Sequence, residues 1–156
     1  YALDYTDEVA GLLLMTVAMR PKERAPGSLE FRLSAAKDAT VHEEWLDAMR
    51  HTMMFIEPEL REKLIERHRV VGPISQYNDL VTIDKFDVRD RIGELKTPLT
   101  LVRGVDDPGK PAEYELEIHQ AVPGSKYIKL DNAGHFPMAE RPDDINRAIE
   151  ELMAKL

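Results

Sequence analysis

Lys126-Tyr127-Ile128-Lys129-Leu130-Asp131-Asn132-Ala133-Gly134-His135-Phe136-Pro137 is the stretch that decides the fold. Its first five residues alternate polar and apolar side chains, the pattern of a half-buried strand. Asp131, Asn132 and Gly134 supply turn chemistry, and a histidine follows at once. A strand that ends in a tight turn bearing His is where a catalytic base would sit. A second stretch upstream has the same form. Pro98-Leu99-Thr100-Leu101-Val102-Arg103 reads as a short buried strand, broken by Gly104-Val105-Asp106-Asp107-Pro108-Gly109. One strand therefore ends in carboxylates and the next in His135.

Working outward, Pro111 to His119 reads as an amphipathic helix with Tyr114, Ile118 and Val122 on one side, stopped by Pro123-Gly124. Pro142 to Leu156 is a last helix with Ile145, Ala148, Ile149 and Leu152 on one stripe. Towards the other end, residues 1 to 7 read as the last turns of a helix, with Asp7-Glu8 as a break. Val9 to Val17 then forms a strand whose near-continuous apolar centre predicts burial on both faces of a parallel sheet. Arg20 to Gly27 is a loop by its Pro, Gly and charge content. From Ser28 to about Val71 the pattern is helical. Ser28 to Leu33 starts a short helix, and Thr40-Val41-His42-Glu43 offers a capping box with Thr40 as the cap. Pro58 to Arg67 is a further helix with Pro in its first turn. Gly72-Pro73 ends it, and Ile74 to Lys85 forms a short helix leading back to the sheet.

This order of strand, G-x-x-D, helix, strand, G-H, helix resembles the C-terminal part of the α/β-hydrolase fold, in which the triad runs Ser, then Asp or Glu, then His along the chain. Phe86 to Pro98 resembles the family's lead-in to its seventh strand, and Glu140-Arg141-Pro142 before an apolar helix resembles its ending. The motif match covers roughly residues 84 to 156. The expected fold class is α/β: the C-terminal half of an α/β-hydrolase parallel sheet with a helical cap insertion. The expected organisation is 1–19 as the end of a helix and the sixth strand, 20–83 as the helical cap, and 84–156 as the C-terminal part of the core.

The resemblance implies Asp107 as the triad acid, because it stands three residues after Gly104, with Asp106 as the nearby competitor, and His135 as the base. It implies no cofactor. No G-x-S-x-G occurs, nor any Gly-flanked Asp or Cys in that arrangement, whereas the family's nucleophile sits on a strained turn between a strand and a helix. The opening residues resemble the helix that follows the nucleophile, so the chain is expected to start just after it. The free side of the sixth strand would then present unpaired backbone groups beside Leu12-Leu13-Leu14. The expected partner is the N-terminal half of the hydrolase, on a separate or cleaved chain, or else a second copy of this chain. In the cap, Trp45, Met49 and Met53 are candidates to line a substrate pocket, against the commoner role of core packing. Phe136, beside the base, is expected to face the site.

Composition narrows the alternatives. A 43% hydrophobic and 32% charged chain of 156 residues is that of a globular protein with a real core. A formal charge of −8 with no basic cluster argues against nucleic acid. No apolar run approaches the length of a membrane span. The absence of cysteine removes disulfides, zinc-thiolate sites and a Cys nucleophile, and fits a cytoplasmic protein. His42, His51, His68 and His119 lack metal-ligand spacing, and His119 is expected on an exposed helix face.

The leading expectation is a serine hydrolase of small esters or related acyl compounds, a small-molecule substrate in either case. Haloalkane and epoxide hydrolases, with an Asp nucleophile, are alternatives. Thr16-Val17-Ala18-Met19 lacks the carboxylate that some dehalogenases carry there, and Tyr77 is the only Tyr between residues 6 and 113 where epoxide hydrolases usually need two. A non-catalytic hydrolase-like fragment or interaction module is the expectation from another class. An autonomous enzyme using Asp107 and His135 alone ranks last, for want of oxyanion donors.

Overall fold

A computed structural model of the chain describes residues 1–20 and 28–156. The expected loop at Arg20 to Gly27 lies, apart from Arg20, outside the described residues. The chain divides into two compact units, one of Tyr1–Arg20 with Asp87–Leu156 and the other of Pro21–Phe86.

The first unit is built on three parallel strands, β1 (Leu12–Met15), β2 (Leu99–Gly104) and β3 (Lys126–Leu130), in the order β1-β2-β3. Leu12 stands opposite Leu99, and Thr100 opposite Lys126. All six residues of β2 are buried, as a strand covered on both faces and both edges must be. Its alternating side chains feed two cores. Leu99 and Leu101 pack with Met19, Ile92, Ile118 and Val122, joined by Leu12 and Leu14. Val102 packs with Leu130, Ala133, Ile145 and Ala148, joined by Leu13 and Met15. The period of two thus serves a helix on each face, α5 (Glu113–Ala121) and α7 (Pro142–Met153), and each fully buried Leu or Ile contributes about 1.5–3 kcal/mol.

Several local expectations are corrected. The Val9–Val17 strand shrinks to four half-buried residues, because Thr16 turns to φ 50° and ends it; among the described residues β1 pairs with β2 alone. The opening residues form a hydrogen-bonded turn at Tyr1–Tyr5 and a single 3-10 turn at Thr6–Glu8. On α7, Ile145, Ala148 and Leu152 are buried, but Ile149 is 40% exposed. It lies one residue round from the stripe centre, and the sheet does not reach it.

The second unit holds four helices among its described residues, α1 (Ser28–Ala35), α2 (Ala39–Arg50), α3 (Pro58–Val71) and α4 (Pro73–Lys85). Thr40 is not the cap of α2. Asp38 has the extended backbone of a cap residue and accepts the N–H groups of Thr40 and Val41 at 2.8 and 3.3 Å. Glu43 is drawn instead to Arg69 on α3 in a two-bond pair at 2.8 and 2.9 Å. Gly72, at φ 79°, separates α3 from α4, and Pro58 and Pro73 open their helices. Leu46, Met53, Ile56 and Ile65 are buried. No described helix is long and apolar enough to cross a membrane.

Candidate active site

The ends of β2 and β3 are strapped together by main chain. Val105 N–H donates to the Leu130 carbonyl at 2.9 Å, and Asp106 N–H to the Ala133 carbonyl at 3.0 Å. Asn132 makes the reversal after β3 in the left-handed region, φ 53°, which Asn tolerates better than most residues. Gly104 is required by proximity. A Cβ built there would stand 2.2 Å from the Gly134 oxygen and 2.4 Å from the Ala133 oxygen, so only glycine lets the acid loop and the base turn approach this closely.

Within that frame Asp107 Oδ2 lies 2.9 Å from His135 Nδ1. Asp107 Oδ1 accepts the Gly109 N–H at 2.6 Å. The Asp107 carboxylate is completely buried, whereas His135 is 30% exposed. A buried carboxylate on Nδ1 assigns the proton to that nitrogen and leaves Nε2 as the acceptor. Burial pushes the Asp107 carboxyl up, but the hydrogen bond and charge of His135, the Gly109 N–H and the Arg103 charge together outweigh it and hold the carboxyl below its ordinary range. Asp106, by contrast, is exposed, and its N–H is committed to Ala133. Of the two neighbouring aspartates it is Asp107 that meets the imidazole. The Phe136 ring packs edge-on to His135, centroids 5.1 Å apart.

Sequence reasoning missed the groups that hold this pair. Thr16, a β-branched residue in the left-handed region, donates its hydroxyl to the His135 carbonyl at 3.3 Å and accepts Lys110 Nζ on its own carbonyl. Glu140 Oε2 accepts the Gly134 N–H at 2.5 Å. Arg103, on β2, donates to Glu115 Oε2 at 3.0 Å and to the Lys110 carbonyl at 2.8 Å, tying the acid loop to α5. Glu115 is fully buried, and burial pushes its carboxyl up against the pull of Arg103. A signal for this pair was present: Arg103 ends an otherwise apolar strand, and Glu115 falls beside the Tyr114 and Ile118 stripe.

The remaining candidates fall as follows. Trp45, Met49 and Met53 belong to the helical unit. Met53 is fully buried there, and Trp45 and Met49 are half-buried. The Trp45 ring stacks on His42 at 5.8 Å and meets His68 edge-on at 6.3 Å. His119 is not on an exposed face. Its ring stacks on Tyr127, and its Nδ1 lies 2.8 Å from Ser125 Oγ, because β3 runs past the end of α5. Among the described residues no group of three or more His, Asp or Glu is placed to hold a metal ion.

This arrangement, parallel strands with an acid after one and a histidine after the next, is the C-terminal part of the α/β-hydrolase fold. A thermophilic esterase from Thermogutta terrifontis superposes with a TM-score of 0.81 at 25% identity, over 99% of this chain and 59% of that one. An enol-lactonase from Burkholderia xenovorans gives 0.79 at 21% identity, over 98% and 59%. A meta-cleavage product hydrolase from Pseudomonas fluorescens gives 0.72 at 17%, over 99% and 59%. The chain thus spans about 59% of the length of the solved structures it resembles, and these neighbours are hydrolases. No protein-family model matches the chain.

Proposed function

We propose that Asp107 and His135 are the acid and base of a Ser-Asp-His triad that hydrolyses a small ester or related acyl substrate. The Ser is carried by an N-terminal half of the fold outside these 156 residues. The observation that carries the reading is the buried 2.9 Å contact of Asp107 Oδ2 with His135 Nδ1. Asp107 holds the ring in the tautomer that keeps Nε2 free, and steadies the imidazolium once formed. His135 Nε2 takes the proton of the attacking hydroxyl, returns it to the leaving group, then activates water against the acyl-enzyme. The hydrolase neighbours, an esterase and an enol-lactonase among them, support acyl chemistry. Phe136, packed on His135, borders the site, while Trp45 and Met49 of the helical unit are proposed as apolar substrate contacts and Met53, fully buried, packs the core of its own unit. The assembled protein is proposed to work in the cytoplasm.

The test is labelling and turnover in the assembled enzyme. A fluorophosphonate should label the Ser of the N-terminal half, and His135→Ala should abolish both labelling and ester hydrolysis with little loss of fold. Ester hydrolysis that stays within about tenfold of wild type would remove His135 as the base, since general bases contribute 10²–10⁴-fold.

A further inference from the structure

Glu140 is a half-buried carboxylate that forms no ion pair among the described residues. It sits at the end of α6 (Pro137–Glu140), a single turn that starts directly after Phe136. Its Oε2 reaches back over His135 to the Gly134 N–H, and the Phe136 N–H also favours its ionised form. Its Oε1 is buried with no hydrogen-bond partner among the described residues. Burial, helped by the charge of Asp107, pushes the carboxyl up despite those N–H groups and His135. A group that costs desolvation and leaves one oxygen unmatched is not explained by stabilising one helical turn.

The peptide groups around His135 supply the explanation. The 133–134 peptide is held at its carbonyl by Asp106 N–H and at its N–H by Glu140. The 135–136 peptide is held at its carbonyl by the Thr16 hydroxyl. From this geometry we infer that Glu140 is a positioning residue for His135: its carboxylate clamps the main chain on the Gly134 side of the histidine, opposite the hold of Thr16 on the His135 carbonyl, so that Nδ1 stays in line with Asp107. The inference rests on the proposed roles of Asp107 and His135.

Reach and charge can be separated in the protein by NMR of the His135 ring. An Nδ1–H bonded to the buried Asp107 should give a low-field proton resonance that exchanges slowly with water. Glu140→Gln keeps the reach of an acceptor oxygen and loses the charge; it should keep the resonance. Glu140→Asp keeps the charge and is one methylene short; its resonance should exchange at least about tenfold faster, as loss of one charged hydrogen bond implies. A resonance in Glu140→Asp that matches wild type overturns the inference, and so does equal loss in both variants. Where Glu140→Asp does not fold, the Gly134 amide of Glu140→Gln decides. Protection as in wild type supports the clamp, and exchange at the rate of a free amide overturns it. Asp107→Asn is the control. A resonance that persists there overturns the acid and base reading and the inference with it, whereas persistence in Glu140→Asp alone overturns only the inference.

Discussion

Replacing Gly104 by Ala should pull the acid loop and the base turn apart. The added Cβ would stand 2.2 Å from the Gly134 oxygen, 2.4 Å from the Ala133 oxygen and 2.5 Å from the Ala133 carbonyl carbon. All three are backbone atoms, so no side-chain rotation relieves the overlap. Ordinary contact begins near 3.4 Å, and the base turn must therefore retreat by about 1 Å. That motion takes the 2.9 Å contact of Asp107 with His135 beyond hydrogen-bonding range. Overpacking of this kind costs about 1–3 kcal/mol, a fall of roughly 3–10 °C in melting temperature for a chain of this size. In the assembled enzyme, a catalytic group displaced by about 1 Å should lower kcat by ~10²-fold. Thermal melts read the first effect and ester hydrolysis the second. Gly109→Ala is the comparison, because its Cβ would meet only side-chain atoms, Asp107 Oδ1 at 3.1 Å and His135 Nδ1 at 3.3 Å. It needs shifts of tenths of an ångström and should cost less on both counts. A Gly104→Ala protein that melts within about 2 °C of wild type and turns over within about threefold would refute the close-approach argument.

Further expectations concern the groups around that contact. If Asp107 is the acid as proposed, Asp107→Asn should cost ~10⁴-fold in kcat, as loss of the acid does in established triads, while Asp106→Asn, exposed, stays within a few-fold; the reverse ranking moves the acid by one residue. Because the folded-state pKa of Asp107 lies below its ordinary 3.8, its ionised form stabilises the fold above that pH and the benefit is lost as pH falls through the lower folded value. Urea melts of wild type and Asp107→Asn should therefore differ at neutral pH and converge under acid conditions. Arg103→Met should cost about 3–5 kcal/mol by leaving Glu115 buried and unpaired, and adding Glu115→Leu should restore most of it; a double-mutant cycle in urea measures the coupling. In the helical unit, His42 is buried with neither ring nitrogen hydrogen-bonded among the described residues. His42→Phe keeps a ring against Trp45 and should raise stability by about 1 kcal/mol, read as a higher melting temperature.

Much of the architecture was legible because it rests on local regularities. The alternation of Lys126–Leu130, the apolar run of Leu99–Val102 and the Pro and Gly punctuation at Pro58, Gly72-Pro73 and Pro123-Gly124 each act within a few residues. Where two local signals competed, position along the backbone decided. Thr40 reads as the cap of α2, but the extended backbone at Asp38, two residues earlier, makes Asp38 the cap instead. Strand β1 was read too long because hydropathy continues through Thr16 and Val17, and nothing local announces that Thr16 adopts a positive φ.

By itself the sequence determined the order of the strands and their helices, the strand-end placement of an acid and a histidine, and the burial of the central strand. Each follows from side-chain period and turn chemistry over short spans. The burial on both faces expected of Val9–Val17 is not seen in half-buried β1. Only the tertiary structure decided which of two adjacent aspartates meets His135, that Gly104 must be bare for Ala133 and Gly134 to approach, and that Thr16, Glu140 and the Arg103–Glu115 pair hold the site. The physical reason is separation along the chain. Thr16 and His135 are 119 residues apart and Asp107 and His135 are 28, and contacts at that range are set by how strands stack and turns abut, which no local pattern encodes.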